Sequence, residues 1–313
     1  MSDVLADVDS REAMKVRLLT FDWLPFTDDL SASETLFEAM DELSAESVFF
    51  ESHYLQSQGP GGILSRLPSG LEGRFFLVRG ASEEGRTEIS AFGSLSAILQ
   101  CETTVPSEGR FSDTTGLLRK TAEDPFCWLH FKEESEADIT AAFSAALSLM
   151  REMREQNCIV LVTALNGRKG DLSRFDSSLP ESLIHAPLWL LGFDQLGRCQ
   201  PLTGSFDIGC TIRDLLQMEF PASAPDDSLP KRAPLSLWGI AGDLARGLER
   251  ELPIEAEGIS AIRSDQFLLV QRPGEVGEES SVFLYAKPED VWNVNNVAAE
   301  YREAVEKMSQ YST

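Results

Sequence analysis

The sequence predicts an α/β protein, with a mostly parallel sheet flanked by helices and a small C-terminal α+β unit. Three observations predict it. Short apolar runs at residues 16–22 (VRLLTFD), 125–131 (PFCWLHF) and 158–163 (CIVLVT) read as strands buried on both faces. A long acidic amphipathic segment, 134–156, lies between the last two, and a helix in that place is the crossover that joins parallel strands. Beyond residue 258 the pattern changes to closely spaced strands and one terminal helix.

Each element follows from its residues. The first strand ends on Asp22, a polar group at the tip of an apolar run, and 33–46 then reads as a helix with Leu36, Met40 and Leu43 on one stripe. Val48, Phe49 and Phe50 are strand-like and lead into a loop, 56–70, dense in Gly, Pro and Ser. Strands are expected at 74–79 and 88–92. Helix 134–156 places Ile139, Phe143, Ala146 and Met150 on its inner face. The strand 158–163 should end at a loop, 164–167, at the carboxyl edge where sheets of this kind place their sites. A further strand is expected at 186–191 and a helix at 207–218 introduced by Asp207 as an acidic cap. The Pro-, Ala-, Ser- and Asp-rich stretch 221–234 reads as a linker or surface loop. Strands at 258–271 and 281–286 around a Pro273-Gly274 turn, then a helix at 297–308, complete the chain. The expected organisation is a body at 1–220, a linker or long loop at 221–257 and a C-terminal subdomain at 258–313.

Composition narrows the function classes. Of 313 residues, 51 are acidic and 27 basic, leaving a net charge of −24, with 42% hydrophobic residues, enough for a large core. Such a surface repels phosphate backbones and anionic lipid heads, so neither nucleic acid nor a membrane surface is an expected partner. No run is long and apolar enough to span a bilayer. The opening residues lack a basic segment followed by an apolar one, so the expected compartment is the cytoplasm. Cys101, Cys127, Cys158, Cys199 and Cys210 are odd in number and show no metal-ligand spacing, which reads as buried thiols.

Most isolated motifs have plain readings. The Gly-rich stretch Gln58-Gly59-Pro60-Gly61-Gly62 lacks the spacing of a phosphate-cradling loop. Asp28-Asp29 and Asp226-Asp227 sit beside turn residues and read as solvated pairs, as do the Glu133-Glu134 and Glu278-Glu279 runs. His53, His130 and His185 are the three histidines, the last two near strand ends that would face a pocket.

Taken in order, several segments resemble the sulfatase family of the alkaline-phosphatase-like fold. SETLFEAMDELSAESVFFESHYLQS resembles the family's opening TPNLDxLAxEGxxFxNAYxxS stretch, CIVLVTALNG its TxVxxTSDHG strand and loop, and ESLIHAPLWLLG its ESLRVPLIIxG segment. SFDIGCTIRDLL is similar to xVDIxPTLLDLxG. ISAIRSDQFLLV and FLYAKPEDVWNVNNVA resemble AIRTxxYKLI and ELYDLExDPxExxNLA.

That resemblance implies a divalent calcium or magnesium ion held by carboxylates and a formylglycine nucleophile. This sequence departs from both. Asp22 stands at the first position of the family's Asp pair, but Trp23 follows it, and Leu165 and Asn166 occupy the Asp-His positions of the second metal loop. Pro60 falls where the nucleophile belongs, and shifting the register to Ser57 or Ser65 does not recover the Pro and Arg that should follow. In place of the GKWHLG segment stands AFGSLSA, which offers Ser94 and Ser96. The remnant pocket therefore draws on Asp22, Trp23, Pro60, Ser94, Leu165 and Asn166, with His130 and His185 beside it. No cofactor is expected, the family's metal being lost.

The expected function is that of an inactive sulfatase-like protein with a binding or regulatory role, exercised through the old cleft or through a protein partner, an active relative or a second copy. The alternatives are a hydrolase of another class that reuses the cleft, and an active sulfuric or phosphoric ester hydrolase.

Overall fold

A computed structural model describes residues 14–25, 33–57, 63, 67, 71, 74–79, 88–92, 123–132, 136–155, 157–167, 179–218, 232–242, 248–256, 258–274 and 280–310. Their centre is an eight-stranded sheet. It contains β1 (Lys15–Trp23), β2 (Val48–Phe50), β4 (Arg74–Arg79), β5 (Glu88–Phe92), β6 (Phe126–Lys132), β7 (Cys158–Asn166), β8 (Leu188–Leu191) and β9 (Gly197–Cys199). The spatial order is β5-β4-β6-β1-β7-β8-β2-β9. β4, β6, β1 and β7 run parallel, whereas β5 and β8 are antiparallel to their neighbours β4 and β7. The helix between β6 and β7 is α2 (Glu136–Glu155), and α1 (Glu34–Ala45) connects β1 to β2.

Strict alternation along the parallel strands explains why both faces are apolar. On β1, Leu19 and Phe21 face α1 and α2 with Leu36, Met40, Ile139, Phe143 and Met150, while Val16 and Leu18 face the opposite layer. That second layer is built by α4 (Ser205–Leu215) and α5 (Leu237–Ala241), which bring Ile208, Ile212, Leu237 and Ile240. Phe21 stacks on Phe131 with ring centroids 4.8 Å apart and touches Phe143 at 5.3 Å, so aromatic contacts knit β1, β6 and α2. Ser33 caps α1, its Oγ accepting from the Leu36 amide at 3.2 Å.

The structure differs from the sequence reading in six places. β7 continues through 164–166, because its pairing with β1 runs on to Trp23 opposite Asn166. α4 starts at Ser205, two residues before the proposed cap: Asp207 lies inside the first turn and its Oδ2 reaches back 2.8 Å to accept from the Gly204 amide. Within the stretch read as linker, α5 is helical because Leu237, Ile240 and Ala241 are buried in the core. The C-terminal sheet also begins there, as β11 (Glu251–Ala256), and continues with β12 (Ile259–Ser264), β13 (Phe267–Arg272) and β14 (Ser281–Ala286), all antiparallel. Residues 258–271 are therefore a hairpin turning at Asp265 and Gln266 and not one strand. The terminal helix, α6 (Arg302–Ser309), starts five residues later than the pattern suggested, after a turn at 298–300. The four described cysteines, Cys127, Cys158, Cys199 and Cys210, are free and buried, and Cys101 lies outside the described residues.

The C-terminal sheet packs on the body through Tyr54, Leu183, Ile184 and Leu202 against Leu252, Ile254, Leu268 and Val270. Two short strands, β3 (His53–Tyr54) and β10 (Thr203–Gly204), pair beside this seam, and the helix α3 (Glu181–Ile184) lies in it. A buried ion pair closes the seam. Arg250 Nη1 donates to Asp207 Oδ2 at 2.6 Å and Nη2 to Oδ1 at 3.0 Å, while Arg250 also reaches the carbonyls of Leu202 and Ala233. Breaking such a pair leaves a buried charge uncompensated, so Asp207→Ala should lower stability to urea by about 3–5 kcal/mol, whereas the double variant Asp207→Leu/Arg250→Met should recover most of that loss. Gly167 offers a second test. A Cβ there would overlap the carbonyl of Leu183 and the Ser182 oxygen, backbone atoms that cannot swing aside. Gly167→Ala should therefore cost about 2 kcal/mol or more in the same measurement.

Candidate functional site

At the carboxyl ends of the parallel strands β1, β6 and β7 the register brings the expected residues together. Thr20 stands level with His130 on one side and Thr163 on the other, and Trp23 is level with Asn166. The hydrogens of this cluster assign themselves from donor and acceptor capacity. The Trp128 Nε1–H can only donate, and it does so to Thr20 Oγ1 at 2.8 Å. The Thr20 hydroxyl proton is then directed to His130 Nδ1 at 3.1 Å, and His130 Nε2–H donates to Asp22 Oδ1 at 3.1 Å. Asn166 donates its Nδ2–H to the Asp22 backbone carbonyl at 3.1 Å.

Five of the residues expected in or beside the remnant pocket, Asp22, Trp23, His130, Leu165 and Asn166, thus lie at one edge. Pro60 and Ser94 lie outside the described residues, as do Ser65, Ser96 and the acidic pairs at 28–29, 133–134, 226–227 and 278–279. His185 belongs to a different cluster. The donors that the described residues bring to the first edge do not fit a hard divalent cation. Asp22 is bonded by a histidine, Asn166 turns its amide nitrogen to a backbone carbonyl, and Leu165 is only 3% exposed, packed in the core with Leu161. Among the described residues no three His, Cys, Asp or Glu side chains converge as a metal site requires.

The second cluster sits at the seam. Tyr54 stacks on His185 with centroids 4.6 Å apart and donates its hydroxyl to Glu181 Oε1 at 2.5 Å. Glu181 Oε2 accepts from Lys287 Nζ at 2.7 Å, and Lys287 also donates to the Asp290 carbonyl and to Asn293 Oδ1, both at 2.6 Å. Asn293, held at a φ of 54°, passes the network on to the Leu179 carbonyl. Burial alone would raise the Glu181 carboxyl, but Lys287 above all, with Arg263, holds it below the ordinary carboxylate range. Burial and the neighbouring Glu181 push the Tyr54 phenol upward, so it stays a donor. The signal for this cluster was present in the sequence only as the ESLIHAP and AKPED stretches, which name Glu181 and Lys287 without showing that they meet.

Both seam histidines are neutral. His185 Nε2 lies 2.8 Å from the Glu51 carbonyl, which can only accept, so the proton is on Nε2. His53 Nδ1 is 3.1 Å from Thr203 Oγ1, and that hydroxyl faces the Ser52 carbonyl at 3.4 Å, so Nδ1 donates and Nε2 keeps a bare lone pair. Burial drives the His53 pKa down to about 3 and the His185 pKa down to about 4.

In sequence the chain matches no family model and no curated protein. Its fold, however, is shared with solved structures along nearly its full length. A sulfatase from a glycosaminoglycan-metabolism locus of Bacteroides thetaiotaomicron aligns with a TM-score of 0.63 at 12% identity, over 96% of this chain and 98% of that one. A phosphonate monoester hydrolase from Silicibacter pomeroyi aligns with a TM-score of 0.55 at 13% identity, over 96% and 94%. A member of the alkaline phosphatase superfamily from Vibrio parahaemolyticus gives 0.55 at 13%, over 95% and 88%. The fold is thus alkaline-phosphatase-like, as the sequence resemblance implied. Among the described residues no helix is long and apolar enough to cross a membrane.

The seam histidines set a pH dependence with a definite sign. Both have folded pKa values below the unfolded value near 6.5, so the unfolded chain binds more protons as the pH falls and stability drops. The loss should begin below about pH 6.5, with a slope of up to ~1.4 kcal/mol per pH unit for each histidine. Urea midpoints between pH 7.5 and 5 would read it, and His53→Leu should flatten the slope by close to one proton.

Proposed function

We propose that this sulfatase-like protein has given up hydrolysis and keeps the fold for binding, without calcium or magnesium, in a regulatory role exercised on a protein partner or a second copy. The observation that carries the reading is the Asp22–His130 contact at 3.1 Å. Ester hydrolysis by metal-assisted chemistry needs a cation to neutralise the ester oxygens and several hard oxygen donors to hold that cation. Here the carboxylate that such a cation would use is bonded by an imidazole. The neighbouring ligand positions are a tryptophan, a buried leucine and an asparagine engaged with backbone. Pro60, at the position where the resemblance puts the nucleophile, has no oxidisable Cβ–S or Cβ–O bond from which an aldehyde could form.

Metal analysis of the purified protein, combined with assays on an aryl sulfate and an aryl phosphate, tests the proposal. The expected result is far less than one ion per chain, no turnover, and a melting temperature unmoved by a chelator. About one calcium, magnesium or zinc per chain together with turnover would overturn it.

A second reading has an observation of its own. Thr20, His130 and Asp22 form a hydroxyl–imidazole–carboxylate chain with 3.1 Å at each link, the arrangement that activates a nucleophile in hydrolases of other classes. Thr20 is fully buried inside the sheet and accepts from Trp128, which keeps it away from substrate. What could act is the Asp22–His130 pair, as a proton acceptor for water. If an ester substrate is found, His130→Gln should cost about 10²–10⁴-fold in turnover on this reading and leave ligand affinity intact.

A further inference from the structure

A cleft of about 250 Å³ opens where the edge of the large sheet meets the C-terminal sheet, lined by Phe49, Tyr54, His185, Arg198, Arg263 and Lys287 among others. Its charges are unequal. Arg198 is paired with Glu51 at 2.8 Å, and Lys287 with Glu181 at 2.7 Å. Arg263 is different. It projects from β12, is 4% exposed, and its guanidinium lies 5.1 Å from the centre of the Tyr54 ring. Among the described residues no carboxylate pairs with it, and neither Nε nor Nη1 meets the geometry of a hydrogen bond with any partner. The Tyr54 oxygen, whose proton goes to Glu181, keeps its lone pairs and takes a side-chain hydrogen bond from Arg263, and Glu181 feels the same charge, but both Glu181 oxygens are already used by Tyr54 and Lys287 and the Arg263 Nε and Nη1 stay unmet. The facing charged groups therefore leave one cation over: Arg198, Arg263 and Lys287 against Glu51 and Glu181, three minus two. His185 adds none near neutral pH.

A buried guanidinium with two of its three nitrogens unmet and no carboxylate in an ion pair with it is costly, because the hydration it loses is only partly replaced. In a chain of net charge −24, carboxylates are abundant, yet among the described residues none has been brought to this position. We infer that the cleft beside Arg263 is a binding site for a small organic monocarboxylate. The planar fork of the guanidinium matches the two oxygens of a carboxylate, and a single surplus charge matches a single negative one. A dianion would face the Glu51 and Glu181 carboxylates unbalanced. The walls formed by Phe49, Tyr54, Pro288 and Val291 suit an apolar or aromatic body behind that group, and the volume is at the small end of ligand pockets. This site uses none of the residues at the Asp22–His130 edge, so it stands or falls independently of the fate of hydrolysis there.

Calorimetric titration with sodium benzoate and sodium acetate at pH 7.5 and constant chloride tests the inference, alongside melting curves. Benzoate should bind saturably, more tightly than acetate, and raise the melting temperature of the wild type. Arg263→Met, which keeps the volume and removes the charge, should weaken benzoate at least tenfold while melting at or above the unliganded wild type. Arg263→Lys keeps the charge without the fork and should retain weakened binding. Absence of saturable benzoate binding, equal affinity in wild type and Arg263→Met, or inorganic sulfate binding as tightly as benzoate would each overturn it. A melting temperature of Arg263→Met well below the wild type would mark Arg263 as a structural cation and overturn it as well.

Discussion

The Asp207–Arg250 pair is the contact on which the arrangement of the two sheets depends. Asp207 belongs to the first turn of α4 and is wholly buried, while Arg250 immediately precedes β11. Each oxygen of Asp207 accepts twice: Oδ2 from the Gly204 amide and Arg250, Oδ1 from the Leu235 amide and Arg250. One carboxylate thereby fixes the start of a helix, the segment at 233–235 that enters α5, and the first strand of the C-terminal sheet. A buried pair of this kind adds little net energy over apolar residues of the same shape, but it adds direction. The Arg232–Glu251 pair, at 2.9 Å and similarly shielded, repeats the tie one step along the chain. With β11 so placed, β12 must carry Arg263 toward Tyr54, and the seam cleft follows.

The two side-chain clusters differ in how their electrostatics close. At the β1, β6 and β7 edge, donors and acceptors follow one another in series: indole to hydroxyl, hydroxyl to imidazole, imidazole to carboxylate, amide to carbonyl. Such a chain polarises itself cooperatively and needs nothing from outside. At the seam, by contrast, Lys287 and Glu181 complete each other's bonding and leave Arg263 as a remainder. Closure at one end and a remainder at the other locate where this molecule has capacity for a ligand.

The fold was legible because burial on both faces writes itself into sequence as continuous apolar runs. Residues 16–22, 125–131 and 158–163 could scarcely be anything but inner strands, and α2 between two of them fixed the parallel sense. The hairpin at 265–266 and the start of α4 were less legible for a physical reason. The hairpin turn uses Asp265 and Gln266 instead of glycine, and Asp207 acts through a bond back to Gly204 that depends on position within a turn rather than on residue type. The edge cluster was partly readable, since Asp22, Trp23, Leu165 and Asn166 sit at the ends of adjacent strands. The role of His130 was not, because the register that levels it with Thr20 belongs to the sheet and not to either strand alone. The seam cluster was hidden for the same reason at larger scale: Tyr54, Glu181, Arg263 and Lys287 come from four separate segments that only packing unites.

The residues at this edge also make sense as a set. Several carboxylates gathered for a cation repel one another once the cation is gone, and burial amplifies the repulsion. Among the described residues the edge carries a single carboxylate, supplied with a proton donor by His130, and Leu165 beside it extends the apolar layer formed with Leu161 and Ile208. A lone carboxylate bonded by one imidazole, beside an apolar neighbour, avoids that repulsion and so carries a smaller electrostatic cost than several carboxylates gathered in the same buried place would.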